Sequence, residues 1–122
     1  MSEEIQRLSP QIQERLLRLQ QLQQNLQALL TQKQQLELEL TETDQALEEL
    51  QKLTEDTVIY KSIGTLLVKS NKTAVTTELN EKKELLNTRI NVLGKHEERL
   101  RSQLKDLQDK LQQDLQPVSP PS

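Results

Sequence analysis

What most constrains this chain is an apolar repeat of period 3.5 that runs twice, once on each side of a short segment rich in β-branched residues. In the first run, a positions fall at Ile5, Ile12, Leu19, Leu26, Lys33, Leu40 and Leu47, and d positions at Leu8, Arg15, Leu22, Leu29, Leu36, Thr43 and Leu50. Eleven of these 14 are apolar, where scattering at the overall 33% hydrophobic content would put roughly five. In the second run, d positions are Leu79, Leu86, Leu93, Leu100 and Leu107, and a positions are Lys83, Ile90, Glu97, Leu104 and Leu111. Eight of these ten are apolar. A 3.5-residue period gathers side chains onto one narrow stripe of a helix, the seam of a coiled coil. No globular alternative competes, because the chain has no phenylalanine, tryptophan or cysteine and only Tyr60 as an aromatic, so the bulky residues of a compact core are missing.

Local punctuation sets the expected elements of one domain over residues 1–122. Ser9 can cap orphan amides and Pro10 supplies a preset φ, so residues 1–9 form a flexible lead and a first helix spans 10–54. Composition then changes in 57–69, where β-branched and aromatic residues flank Gly64; this predicts a β-hairpin with strands near 58–61 and 65–69. Ser70, Asn71 and Thr73 are alternative caps for a second helix over 72–113, and three prolines keep the 116–122 tail out of helix and disordered. Two long helices joined by a tight hairpin fold back as antiparallel partners, a rod of roughly 60 to 65 Å at ~1.5 Å per residue. A register pairing Leu36 with Ile90, Leu26 with Leu100 and Leu19 with Leu107 puts Thr43 and Lys83 in one layer, Lys33 near Glu97 and Arg15 near Asp114. These polar groups either fix the register or are solvated charges bordering the seam.

A two-stranded hairpin is marginal in water by itself. Val58, Ile59, Ile63, Leu66, Leu67 and Val68 are too apolar for an exposed turn, so the hairpin is expected to pair its bare edges with other subunits; the alternative is that it lies down on its own helices. At the other end, Leu16 and Leu17 at e and f, together with Ile5, Leu8, Leu115 and Val118, leave apolar side chains where helix-helix contacts run out. They can bind apolar segments of other proteins, or they reflect ordinary fraying.

Several function classes are disfavoured. Gly64 and Gly94, the only glycines, belong to no phosphate-binding pattern, so no nucleotide or other cofactor is expected. His96 is the sole histidine and has no cysteine to join it as a metal ligand. Glu48, Glu49, Glu97 and Glu98 have nothing to enclose them on a two-helix rod, so no enzyme is expected. A net charge of −3 and a pI near 5.3 supply no basic stripe for nucleic acid, as a helical arm like that of some transfer-RNA ligases would need, and none for a membrane surface. With no secretory signal and no apolar run of ~20 residues, a soluble cytoplasmic protein is expected.

The hairpin segment Val58-Ile59-Tyr60-Lys61-Ser62-Ile63-Gly64-Thr65-Leu66-Leu67-Val68, set between two long helices, resembles the beta class of the prefoldin family. Gln20-Gln-Leu-Gln-Gln24, Ala46-Leu-Glu-Glu-Leu50, Glu81-Lys-Lys-Glu-Leu85 and Glu97-Glu-Arg-Leu100 extend the likeness to about residues 9–113. Gly94 departs from it, standing where a good helix former is usual at a cost of about 1 kcal/mol. The resemblance implies a mainly α fold whose hairpin, including Tyr60 and Gly64, enters an inter-subunit β-barrel. It further implies a hexamer of two alpha and four beta subunits, an ATP-independent chaperone that holds unfolded proteins at its coiled-coil tips and passes them to a group II chaperonin. The client contacts of the family map here to Ile5, Leu8, Ile12, Leu16, Leu17, Leu111, Leu115 and Val118. The rival is a coiled-coil scaffold that binds no client.

Overall fold

The computed structural model describes residues 8–115. Ile5, Val118, most of the expected lead and the whole expected tail lie outside the described residues. The order is helix α1 (Pro10–Gln51), strand β1 (Ile59–Ile63), strand β2 (Leu66–Ser70) and helix α2 (Lys72–Leu115), the mainly helical class with a central antiparallel hairpin that the repeat implied.

Each element begins and ends for a local reason. The Ser9 hydroxyl accepts the Ile12 amide at 3.2 Å, the N-cap geometry that lets Pro10 open α1 without loss of a needed donor. The helix stops at Gln51, three residues short of the expected 54. There the amides of Lys52 and Leu53 fall back to i−3 carbonyls at 3.2 and 3.1 Å, a tightening that ends an α-helix, and the Leu53 carbonyl is taken by Lys72 Nζ at 2.9 Å. Of the three candidate caps for α2, Asn71 serves: its side-chain oxygen accepts the Ala74 amide at 2.8 Å.

The strands lie one to two residues later than the sequence suggested, because the turn is only two residues long. Gly64, at φ 58°, is the first and Thr65 the second, and Ile63 pairs directly with Leu66. Positive φ at the first central position alone is the type II′ pattern, whose twist matches that of the strands and which favours glycine there.

The chain forms two compact units. One contains the described residues up to Thr31 and from Gly94 to Leu115, with Leu22, Leu29, Leu100, Leu104 and Leu111 buried in its seam. The other, Gln32–Leu93, carries the hairpin and buries Leu50, Leu86 and Thr43. In both, every described a and d position of the two repeats is buried or half-buried. Thr43, only 4% exposed, donates its hydroxyl to the Glu39 carbonyl of its own helix at 2.8 Å. Lys83 reaches Asp44 at 2.8 Å, so the polar partner of this lysine is Asp44, not the Thr43 of the expected layer. A lysine stem is long enough to leave a seam and put its charge in water, whereas threonine can satisfy its hydroxyl only nearby.

Candidate functional site

The hairpin combines a short sheet with an unusually apolar surface. Its register sets Ile59, Lys61 and Ile63 of β1 and Ser70, Val68 and Leu66 of β2 on one face, and Tyr60, Ser62, Lys69 and Leu67 on the other. Ile59, Lys61 and Ser70 are half-buried. Lys61 Nζ lies 2.9 and 2.8 Å from the two carboxylate oxygens of Glu78, a tie from β1 to the second turn of α2. Lys72 and Thr73 add contacts at the hairpin base, with the Thr73 hydroxyl donating to the Glu55 carboxylate at 3.2 Å. Beyond that base, Val58, Tyr60, Ile63, Leu66, Leu67 and Val68 are exposed, Leu67 to 72% and Tyr60 to 62%. The sheet has two strands, so among the described residues each has one bare edge. Apolar surface beside unpaired backbone groups is the combination that recruits another strand.

In the unit that carries the chain's end segments, Leu17 and Leu107 share an open groove of about 520 Å³ with Gln11, Glu14, Arg15, Arg18 and Gln21. Leu17 at 58% exposure and Leu115 at 52% present the most apolar surface in this unit. Leu8, Ile12 and Leu16 are half-buried. Leu111, 5% exposed, belongs to the seam and presents no free surface. Arg15 and Asp114 form an ion pair, so the expected neighbourhood of those two residues is a direct contact. Lys33 has Glu37 at 4.0 Å, and Glu97 accepts Arg101 at 2.9 Å.

The sequence profile described as Prefoldin subunit matches residues 13–117. The chain belongs to the prefoldin subunit family. Similar proteins include "Prefoldin subunit beta" of Thermococcus gammatolerans, 47% identical and covering 93% of this chain and 97% of that one. "Prefoldin subunit beta" of Archaeoglobus fulgidus is 50% identical over 90% of this chain and 95% of its own length. The crystal structure of the prefoldin beta subunit from Thermococcus strain KS-1 superposes with a TM-score of 0.83 at 44% identity, over 92% of this chain and 98% of that one. Membership of the prefoldin family makes this chain a prefoldin chaperone subunit.

Among the described residues no helix is long and apolar enough to cross a membrane, and no three acidic or histidine side chains gather into a group fit for a metal ion. What local sequence patterns did not reveal is the set of ties at the hairpin base. Lys61 and Glu78 are 17 residues apart, and Lys72 and the Leu53 carbonyl are 19 apart; helical spacing says nothing about partners on opposite sides of a bend.

Proposed function

We propose that this chain assembles through its hairpin with prefoldin alpha and other beta subunits, as two alpha plus four beta, into an ATP-independent cytoplasmic holdase. The observation that carries the assembly is the exposed hairpin. Burying a leucine or isoleucine side chain is worth about 1.5 to 3 kcal/mol, and strand addition also satisfies the bare edges, so neighbouring hairpins closing into a barrel gain on both counts. Unfolded clients then bind where apolar side chains lie open at the helix ends. Leu17 and Leu115 act directly, with Leu8, Ile12 and Leu16 behind them; Leu111 supports them from inside the closed seam, and Ile5 and Val118 extend the same stretch of sequence. An open groove lined by both leucine and flexible polar side chains suits many unrelated sequences, as a holdase requires. The held client is then passed to a group II chaperonin, as the resemblance to the beta class of prefoldin implies.

Native mass spectrometry with and without an alpha-type subunit tests the assembly, and a nucleotide-free assay of aggregation of a refolding protein tests the holding. The expected result is a hexamer that suppresses aggregation, and a Leu66→Ser/Leu67→Ser variant that no longer assembles. A stable monomer indifferent to the alpha-type subunit would overturn the assembly. A hexamer that fails to bind fluorescent unfolded protein would leave a scaffold in place of a chaperone.

A further inference from the structure

Within Gln32–Leu93, away from the hairpin, α1 and α2 border an open groove of about 300 Å³ lined by Gln32, Leu36, Thr88, Arg89, Val92 and Leu93. The second repeat widens there. Leu85 and Val92 stand at successive c positions outside the seam, 51% and 58% exposed, so α2 carries a third apolar row for two heptads where a solvated face would be polar. Arg89 sits in the middle of it. Its neighbours three and four residues away are Leu85, Leu86, Val92 and Leu93, so no carboxylate is in helical reach. Among the described residues Arg89 makes no hydrogen bond or ion pair. No carboxylate lines the groove, and Glu37, next to Leu36 in sequence, has Lys33 at 4.0 Å. The groove therefore offers an aliphatic floor, one uncompensated guanidinium and no negative charge.

We propose that this groove is a second client contact, selective for unfolded segments that place an aspartate or glutamate within a residue or two of an aliphatic side chain. The inference rests on the holdase function and adds a client class to it. An aliphatic side chain fills the floor between Leu36, Val92 and Leu93 while the adjacent carboxylate meets Arg89, which can receive it through two parallel hydrogen bonds. A second copy of this chain is the poorer occupant. A stable interface needs about 800 Å² per partner, far more than a few aliphatic side chains around one groove.

The test uses the assembled protein and two fluorescent peptides with the same leucines, one interspersed with glutamate and the other with lysine. Wild type should bind the glutamate peptide about fivefold more tightly at low salt, equivalent to about 1 kcal/mol, with the gap narrowing as salt is added. Arg89→Gln should erase the preference while leaving binding of an uncharged leucine peptide within about twofold, the scale of an exposed polar substitution. Val92→Asn should weaken both charged peptides, and Leu17→Gln should leave the preference intact. A preference that survives Arg89→Gln, or binding untouched by Val92→Asn, overturns the proposal. So does a changed subunit count for either variant, which would assign the groove to another copy. Aggregation suppression in the same samples separates the two ideas: if wild type suppresses aggregation but Arg89→Gln moves nothing, only the groove falls; if wild type suppresses nothing, the holdase falls with it.

Discussion

The two glycines provide a paired test of what holds this chain together. Gly94 lies inside α2 with no positive φ, and a Cβ built there meets nothing within 4 Å beyond its chain neighbours and the backbone of its own helix. Gly94→Ala therefore creates neither a clash nor a contact, and its effect reduces to helix propensity, about 1 kcal/mol in favour of alanine through lost freedom of the unfolded chain. Gly64 also has open space around its Cβ position, but its φ is +58°. Alanine pays steric strain there whatever the room, about 1 to 2 kcal/mol, because a left-handed backbone brings Cβ against the following carbonyl. Two Gly→Ala changes with equally empty surroundings thus carry opposite signs, separated by about 2 to 3 kcal/mol. The assay is thermal and urea unfolding followed by circular dichroism at one fixed subunit concentration, since assembly makes the midpoint concentration-dependent. Gly94→Ala should raise the midpoint by roughly 3 to 6 °C for a chain of this size, with an unchanged urea m-value, and Gly64→Ala should lower it. A Gly94→Ala protein no more stable than wild type, or a neutral Gly64→Ala, would refute the reasoning.

Two further outcomes are expected. Asn71→Ala removes the oxygen that accepts the Ala74 amide and should cost about 1 kcal/mol, with faster hydrogen exchange at Ala74, while Asn71→Ser keeps most of the stability. Leu86→Ala, at a seam position 3% exposed, should cost about 2 to 5 kcal/mol in urea unfolding, whereas Leu17→Ala should change stability by less than about 0.5 kcal/mol yet weaken client binding.

Much of this fold was legible residue by residue. Leu22, Leu29, Leu86 and Leu100 are buried where a period of 3.5 places them, and the switch to Val58-Ile59-Tyr60 marks the bend, because both signals depend only on near neighbours in the chain. The candidate site was legible in part. Leu66 and Leu67 are exposed on the hairpin as their composition suggested, but nothing local separates Leu17, which lies open beside the end groove, from Leu111, which is closed in the seam. The apolar row around Arg89 is not legible in the repeat, because Leu85 and Val92 fall outside its a and d positions.

By itself, then, the sequence determined the helical seam, the position of the turn and the surplus of apolar side chains. Tertiary structure decided which groups meet. Lys72 reaches the Leu53 carbonyl at the end of α1, Lys83 takes Asp44, Lys61 takes Glu78, and Asn71 alone of three candidates caps α2. Helical periodicity gives each side chain an angle about its own axis, but the distance between two side chains on different elements exists only once the chain has bent and packed.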